Sequence, residues 1–142
     1  MGRRASRELA MKLLYQLEMQ KDDREQQKSR FFEDNTLAEK DKVYINDVVN
    51  GVFGRQETID NMIEVNSKGW KMGRISKVDL SIMRLSIYEI CFRNDIPLNV
   101  SINEAVELAK KYSNKDAGSF VNGILSNIHK ESIEAEEHTD GG

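Results

Sequence analysis

The chain has 142 residues, enough for one domain with its own core, and 39% of them are hydrophobic while 32% are charged. Its single cysteine, Cys91, excludes an intrachain disulfide and a zinc site built from several thiolates, which fits a reducing cytoplasm. The sequence has neither the apolar run of a secretory signal nor a stretch of about 18 apolar residues, so no membrane span is predicted.

Charge is distributed unevenly along the chain. The net charge is −3, but five of the 24 acidic residues lie in residues 131–142, where lysine and arginine are absent. Residues 1–130 therefore hold 19 acidic and 21 basic residues. We predict one helical domain over residues 1–130 and a disordered acidic tail over residues 131–142.

Apolar residues recur at helical spacing almost throughout the chain, which predicts an all-α fold, a compact bundle of roughly six or seven helices. The first helix is expected over residues 4–20, with four leucines on its buried face. A polar stretch over residues 21–29 follows, and then a short amphipathic piece around Phe31 and Phe32.

The middle of the chain is predicted to be helical on both sides of a break. A long segment over residues 38–66 contains Gly51 and Gly54, and because glycine destabilises a helix interior, these residues indicate a kink or a close helix contact. Residues 67–75 contain two glycines and a tryptophan and are expected to form a loop or a turn of helix. A strongly apolar helix is then predicted over residues 76–92.

The last two helices follow a break at Pro97, because the residue before a proline avoids helical backbone angles. Ser101 and Glu104 have the spacing of a capping box, so we expect a helix that begins at Ser101 and ends near Tyr112. A final helix is expected over residues 115–130.

Residues capable of catalysis do not form a recognisable set. His129 and His138, the only histidines, lie at the end of the last predicted helix and in the tail, with no nucleophile or metal-ligand set beside them in sequence. Cys91 lies among apolar residues, where a small buried side chain is the usual role. An enzyme would therefore have no catalytic residues that we can name, and we predict no metal site and no cofactor.

Three arginines at the start of the chain stand where cations are disfavoured. Arg3, Arg4 and Arg7 fall in the first turns of a helix, where the helix dipole favours acids, and their spacing predicts that they share one surface. Such a cluster is typical of an anion-binding surface, and nucleic acid phosphate is the obvious anion. A solvated terminus that increases solubility is the alternative, and the motif alone does not decide between the two.

A second basic segment lies between the last two predicted helices. Lys110 and Lys111 suit the C-terminal end of a helix, so a structural role is the simpler explanation for them. Lys115 and Phe120 follow shortly afterwards. An aromatic side chain beside a basic turn can stack on a nucleic acid base, although a core position is the more usual role of a single phenylalanine.

Two neighbouring motifs closely resemble the NusB family: INEAVELAKKY at residues 102–112 and FVNGIL at residues 120–125. Shorter matches in the family's order extend the resemblance over roughly residues 3–130. These shorter matches are the arginine segment with Leu14-Tyr15, Val49-Asn50-Gly51-Val52, Met83-Arg84-Leu85 and Tyr88-Glu89. The departures from the family pattern are confined to residues 21–36, residues 67–73 and the acidic tail.

The resemblance implies an all-helical protein that acts by recognition. NusB proteins bind the single-stranded boxA element of nascent transcripts, chiefly of ribosomal RNA, together with NusE, which is the ribosomal protein S-ten. That complex helps to load antitermination factors on RNA polymerase. Some members self-associate through the surface that otherwise meets RNA, so a homodimer is a further expectation.

The resemblance also implies two binding surfaces. Arg3, Arg4 and Arg7 match the family's RNA-binding arginine segment, and by position Lys115 and Phe120 are candidates for the same RNA-facing edge. Three further residues match positions at or near the contact with the ribosomal protein: Tyr15, Asp79 and Asp116.

Two other functions stay open from the sequence. NusB-like domains also occur at the N-terminus of some ribosomal RNA cytosine methyltransferases, but this sequence has neither a cofactor-binding α/β domain nor a catalytic cysteine motif. Binding of S-adenosylmethionine tests that alternative. The other alternative is a protein–protein adaptor without RNA contact, which would bind the ribosomal protein without increasing its affinity for boxA.

Overall fold

The computed structural model describes residues 2–68 and 70–128, and all regular secondary structure in these residues is helical. Over these residues it contains seven α-helices, one short 3-10 helix (Met72–Arg74) and no β-strand, so the predicted all-α class and number of helices are confirmed. None of these helices is long and apolar enough to cross a membrane. In chain order the α-helices are α1 (Arg3–Met19), α2 (Arg24–Asp34), α3 (Glu39–Gly54), α4 (Gln56–Asn66), α5 (Lys77–Phe92), α6 (Leu98–Tyr112) and α7 (Lys115–Leu125).

Helix α5 is the central element of the bundle. It packs against α1, α3, α4, α6 and α7, and every residue from Asp79 to Ile87 is buried. A helix that is apolar on most sides is stable only when other elements surround it, which explains the strongly apolar composition of this segment. Two hydrophobic clusters meet at α5: one joins it to α1 and α3, and the other joins it to α4, α6 and α7.

Helices α3 and α5 approach each other closely at Gly51. A Cβ atom at this position would overlap the ring of Tyr88, so the helices can pack this closely only where residue 51 has no side chain. The Tyr88 hydroxyl also donates to Asp47 Oδ1 at 2.9 Å, one turn earlier on α3. Gly54 ends α3, and Arg55 separates it from α4. The sequence predicts one long helical segment over residues 38–66 with a kink or a close contact. The structure has the close contact at Gly51, but the segment is divided into two helices after Gly54.

Helix α6 begins earlier than expected, and the predicted capping box is wrong. The helix starts at Leu98, directly after Pro97, whose fixed φ angle suits the entry to a helix. Ser101 thus lies within the helix, where it is buried and its hydroxyl donates to Glu89 Oε1 at 2.9 Å. The carboxylate of Glu104 pairs with an arginine of α1 instead of bonding to the backbone of its own helix.

Two other boundaries also differ from those expected. Helix α2 begins at Arg24, inside the expected polar stretch, because the Asp23 carboxylate caps it by accepting the Gln26 backbone N–H at 3.1 Å. Helix α7 ends at Leu125, before the expected end near residue 130. The predicted acidic tail and both histidines lie outside the described residues.

Candidate nucleic-acid interface

A buried carboxylate joins four helices beneath the start of α1. Glu89 of α5 is 0% exposed, and its carboxylate accepts the Arg7 Nε–H and the Ser101 hydroxyl, each at 2.9 Å. The Tyr44 hydroxyl of α3 also donates to it, and burial next to this carboxylate raises the pKa of Tyr44. Because a buried charge is stable only when it is paired and hydrogen-bonded, this network fixes the first turns of α1 against α3, α5 and α6.

Arg7 belongs to this network and does not share an exposed surface with Arg3 and Arg4. It is 3% exposed, and its Nη2 has no hydrogen-bond partner within the part of the chain that the structure describes. The expectation that all three arginines share one exposed surface is therefore wrong for Arg7, because its ion pair with Glu89 holds the side chain in the interior. In this conformation Arg7 supports the surface from below and does not reach a phosphate.

Arg3 and Arg4 are exposed, but each lies beside a carboxylate. The Arg4 side chain is 74% exposed and donates to both oxygens of Glu104, with N–O distances of 2.8 to 3.1 Å. These hydrogen bonds raise the pKa of Arg4. Arg3 Nη1 lies 3.8 Å from Asp95 Oδ2, and its guanidinium carbon lies 4.5 Å from the centre of the Tyr44 ring. A phosphate at either arginine would compete with a carboxylate that is already bound.

The loop between α5 and α6 adds a third ion-paired arginine next to Arg3. Arg93 donates to Asp95 and to Asp47, at 2.8 Å in each case. Its hydrogen bond lowers the pKa of Asp95 to about 2, so this carboxylate is charged at neutral pH. We refer to Arg3, Arg4 and Arg93, with the acids that they contact, as the arginine surface.

Glu8, one residue after Arg7 on α1, connects this helix to the C-terminal end of α6 through side-chain hydrogen bonds. Its carboxylate accepts hydrogen bonds from the Tyr112 hydroxyl and from Lys111 Nζ, the latter at 2.9 Å, and these bonds lower the pKa of Glu8. Lys111 thus has a structural partner, in agreement with the simpler explanation of the basic segment. Tyr15, matched to the ribosomal-protein contact, is half-buried on α1.

Helix α7 carries the other residues predicted to meet RNA. Asn114 caps the helix by accepting a backbone N–H at 2.8 Å, and Lys115 and Asp116 are exposed in the first turn. Phe120 is half-buried: it packs on the core cluster around α5, and its ring lies 5.8 Å from the Trp70 ring in an edge contact. Phe120 thus has one side in the core and one at the surface, which is compatible with either role considered for it.

Phe120 and Trp70 lie between two concavities on the surface. Each concavity is lined by both of these aromatic residues. One concavity, of about 280 Å³, includes two acids, Asp79 and Asp116, and one cation, Arg74, in its wall. We call it the acidic concavity. The other, of about 250 Å³, has no acid among its described lining residues, and we call it the neutral concavity. Apart from the two aromatic residues, the neutral concavity is lined by Asn66, Ser67, Lys68, Ser119, Gly123 and Ile124.

Asp79 is an unusual carboxylate in the acidic concavity. It is 8% exposed, and burial raises its pKa despite hydrogen bonds from Ser76 and Ser113. Its Oδ1 atom has no hydrogen-bond partner among residues 2–68 and 70–128. Because buried acceptors are normally paired, Asp79 and the exposed Asp116 suit a partner that brings N–H or cationic groups to this concavity.

Sequence interpretation missed two residues that shape these sites. Glu89 is an acid inside a helix segment that is otherwise buried, and that placement was the available signal, since such a charge needs a partner. For Trp70 the sequence predicts only a position in a loop or a turn of helix. Its signal was a large aromatic residue between Lys68 and Lys71 in a glycine-containing segment, which is an unusual place for one.

Similarity to known proteins extends over nearly the whole described chain. Residues 4–130 match the model of the NusB family. The transcription antitermination protein NusB of Acetivibrio thermocellus is 64% identical over 130 residues, which cover 92% of this chain and 90% of that relative.

Solved structures give the same result for the fold. T. maritima NusB superposes with a TM-score of 0.84 at 37% identity, covering 92% of each chain. A second similar chain comes from a complex of the antitermination factors NusB and NusE with double-stranded RNA. It has a TM-score of 0.80 at 28% identity, and the match covers 91% of this chain and 96% of that one.

Proposed function

Since the chain belongs to the NusB family, we propose that it is a transcription antitermination factor that binds boxA RNA together with the ribosomal protein S-ten (NusE). The transcripts are chiefly ribosomal RNA, and the protein acts by recognition without chemistry of its own. The observation that carries the proposal is the likeness, over 91% of this chain, to a chain solved in a complex of NusB and NusE with double-stranded RNA.

The arginine surface supports the RNA-binding part of the proposal. A guanidinium group binds carboxylate and phosphate with the same paired N–H geometry, so the arrangement in which Arg4 holds Glu104 also suits a phosphate. Arg3 and Arg4 hold two phosphates in this proposal, and each exchanges its carboxylate for the RNA. Arg7 acts as a positioning residue, because its buried ion pair fixes the turn of α1 from which Arg3 and Arg4 extend.

Helix α7 supplies a second part of the RNA site. Lys115 is exposed in the first turn and provides a further phosphate contact, while the surface side of Phe120 stacks on a base. Unpaired bases offer their faces and edges to a protein, whereas the groove of an RNA duplex hides them, so this arrangement prefers single-stranded RNA.

The acidic concavity supports the place proposed for the ribosomal protein. Asp79 and Asp116 line it together, and the unsatisfied oxygen of Asp79 accepts a hydrogen bond from the partner in this proposal. Tyr15 is assigned to the same contact by its match to the family alone. Participation in an RNA polymerase antitermination complex and self-association as a homodimer also follow from the family and stay predictions.

The test is a titration of boxA RNA with the protein, alone and with S-ten from the same host, over a range of salt concentrations. We expect S-ten to tighten binding, and the double substitution Arg3→Ala/Arg4→Ala to weaken it. The slope of log affinity against log salt should fall by about 0.7 for each phosphate of a single strand that the variant no longer neutralises. The matched control is Lys21→Ala/Arg30→Ala, which removes the same charge from two exposed residues outside the proposed site.

Each alternative predicts a different result, in this titration or in a separate measurement of S-adenosylmethionine binding. If the protein and S-ten together do not retain boxA RNA at low salt, the proposed function is wrong. An unchanged slope in the arginine variant removes Arg3 and Arg4 from the site. S-ten binding without a gain in boxA affinity indicates an adaptor, and measurable binding of S-adenosylmethionine would favour a methyltransferase.

A further inference from the structure

The segment between α4 and α5 carries exposed cations that are not neutralised. Lys68, Lys71 and Arg74 are exposed, and none of them has an ion pair with another described residue. Lys68 also has a positive φ angle of 42°, which is uncommon outside glycine, and such backbone strain concentrates at binding sites. These cations can bind a phosphate without first releasing a carboxylate.

Trp70 lies in the middle of this segment as an exposed but well-held aromatic residue. It is 53% exposed, and its backbone carbonyl accepts the Ser67 hydroxyl at 2.7 Å. Its backbone N–H donates to the Ser67 carbonyl at 3.2 Å. The ring meets Phe120 at an interplanar angle of 61°, and an inclined contact of this kind leaves much of the indole ring open. An aromatic group that is both fixed and accessible loses little conformational entropy when a ligand stacks on it.

We infer that Trp70 and Phe120 hold one unpaired RNA base in the neutral concavity, with Lys68 and Lys71 on the flanking phosphates. The inference rests on the proposed function, which names RNA as the ligand, and adds a site that is separate from the arginine surface. Stacking on aromatic rings accepts any base, since every base has a π face. The amide of Asn66 and the hydroxyl of Ser119 line the same concavity and can bond to the edge of the base.

The distribution of charge favours RNA over a protein ligand at the neutral concavity. Its described lining includes Lys68 and no acid, whereas two acids, Asp79 and Asp116, line the concavity on the other side of the aromatic pair together with Arg74. A phosphate backbone is therefore attracted more strongly to the first side than to the second. The RNA strand therefore lies along the lysine side, and the acidic concavity is left to the ribosomal protein.

Trp70 is the only tryptophan in the chain, so it can report on the site directly. We expect a short single-stranded boxA RNA to quench its fluorescence. Trp70→Leu keeps a large apolar side chain without a π face and should weaken RNA binding by about 5- to 100-fold, measured by the anisotropy of labelled RNA in the presence of S-ten. Trp70→Phe keeps an aromatic ring and should restore most of the affinity, while an unchanged unfolding temperature in both variants excludes a loss of fold.

Incorporation of 5-fluorotryptophan gives a single fluorine NMR signal for Trp70, even when S-ten is bound. A shift of this signal when RNA is added to the complex supports the inference. If S-ten alone shifts the signal and RNA adds nothing, the segment is a protein contact and the inference is overturned. The inference is also overturned if the Trp70→Leu variant binds RNA as tightly as the unmodified protein does. In that case both proteins still bind boxA RNA, so the proposed function stays intact.

Discussion

The arginine surface and the Trp70 segment, by which we mean Lys68, Trp70, Lys71 and Arg74, are both basic in sequence. They differ in how much of that charge is available. Each arginine of the arginine surface lies beside a carboxylate: Arg3 beside Asp95, Arg4 beside Glu104, and Arg93 beside both Asp47 and Asp95. Lys68, Lys71 and Arg74 have no such partner among the described residues. The difference shows that the number of basic residues in a segment does not measure its attraction for phosphate, because acids that are distant in sequence can already neutralise them.

The two regions are therefore expected to bind a nucleic acid by different exchanges. A phosphate that binds Arg4 replaces the hydrogen bonds to Glu104 with equivalent ones, so the net gain is small but the orientation is precise. A phosphate that binds Lys71 displaces only water and mobile counterions, and release of counterions is the main favourable contribution in nucleic acid binding. We therefore expect the arginine surface to set the geometry of RNA binding and the Trp70 segment to supply more of the electrostatic attraction.

The largest predicted effect separates Arg7 from its exposed neighbour Arg4. Arg7→Ala leaves the Glu89 carboxylate buried without its cation, and removal of one partner from a buried ion pair costs about 3–5 kcal/mol. We expect that decrease in the free energy of unfolding, measured by urea denaturation. Arg4→Ala should leave the free energy of unfolding close to that of the unmodified protein, because Arg4 is exposed. Equal decreases in the free energy of unfolding of the two variants would show that the ion pair of Arg7 contributes no more to stability than that of the exposed Arg4.

An intermediate effect tests whether a carboxylate holds Arg4 back from RNA. Glu104→Gln removes the charge that competes with phosphate, so the protein with S-ten should bind boxA RNA about 2- to 5-fold more tightly at low salt, and the gain should shrink as salt is added. Glu107→Gln is the control for net charge: Glu107 lies on the same helix, contacts Lys110 at 3.9 Å, and acts on Arg4 through its charge but not through a hydrogen bond. If both variants gain equally, the cause is net charge and not the release of Arg4.

The smallest predicted effect concerns how two carboxylates change the stability of the fold with pH. We expect Asp95 and Asp79 to act in opposite directions. Arg93 lowers the pKa of Asp95 to about 2, so its ionised form stabilises the fold above the unfolded-state pKa of 3.8, and this stabilisation is lost as pH falls towards 2. Burial raises the pKa of Asp79, so its ionisation destabilises the fold as pH rises above 3.8.

At neutral pH, Asp95→Asn should therefore lower the unfolding temperature, and Asp79→Asn should raise it. Both differences should disappear in acid, in unfolding scans recorded between neutral pH and pH 2. Shifts of the same sign at neutral pH would mean that the two carboxylates do not have opposite environments.

The fold could be predicted where local sequence determines it. Helical periodicity predicted most of the helices, Pro97 predicted the break before α6, and the glycines predicted a kink or a close contact, which is the contact of α3 with α5. The division of residues 38–66 into α3 and α4 was not predicted. The capping box at Ser101 failed because its local pattern competes with a tertiary partner: the Ser101 hydroxyl bonds to Glu89. A motif that spans four residues contains no information about a carboxylate on another helix.

The candidate site could be predicted only in part, because its composition depends on pairings across the fold. Arg3, Arg4 and Arg7 look alike in sequence, and only the position of Glu89, 82 residues from Arg7, determines which of them faces inward. Phe120 was considered for both a core and a surface role, and its position allows both. Trp70 could not be linked to Phe120 from the sequence, because their contact joins the segment before α5 to α7.

Helix α5 has a consequence for the length of RNA that the protein can engage. Asp79, beside the aromatic pair, and Glu89, beneath the arginine surface, are ten residues apart on this one buried helix, a rise of about 15 Å. Because five other helices surround α5, this interval is fixed by the core of the bundle. If RNA touches both places, we expect it to span a fixed interval, and one residue inserted into α5 would rotate Asp79 by about 100° relative to Glu89.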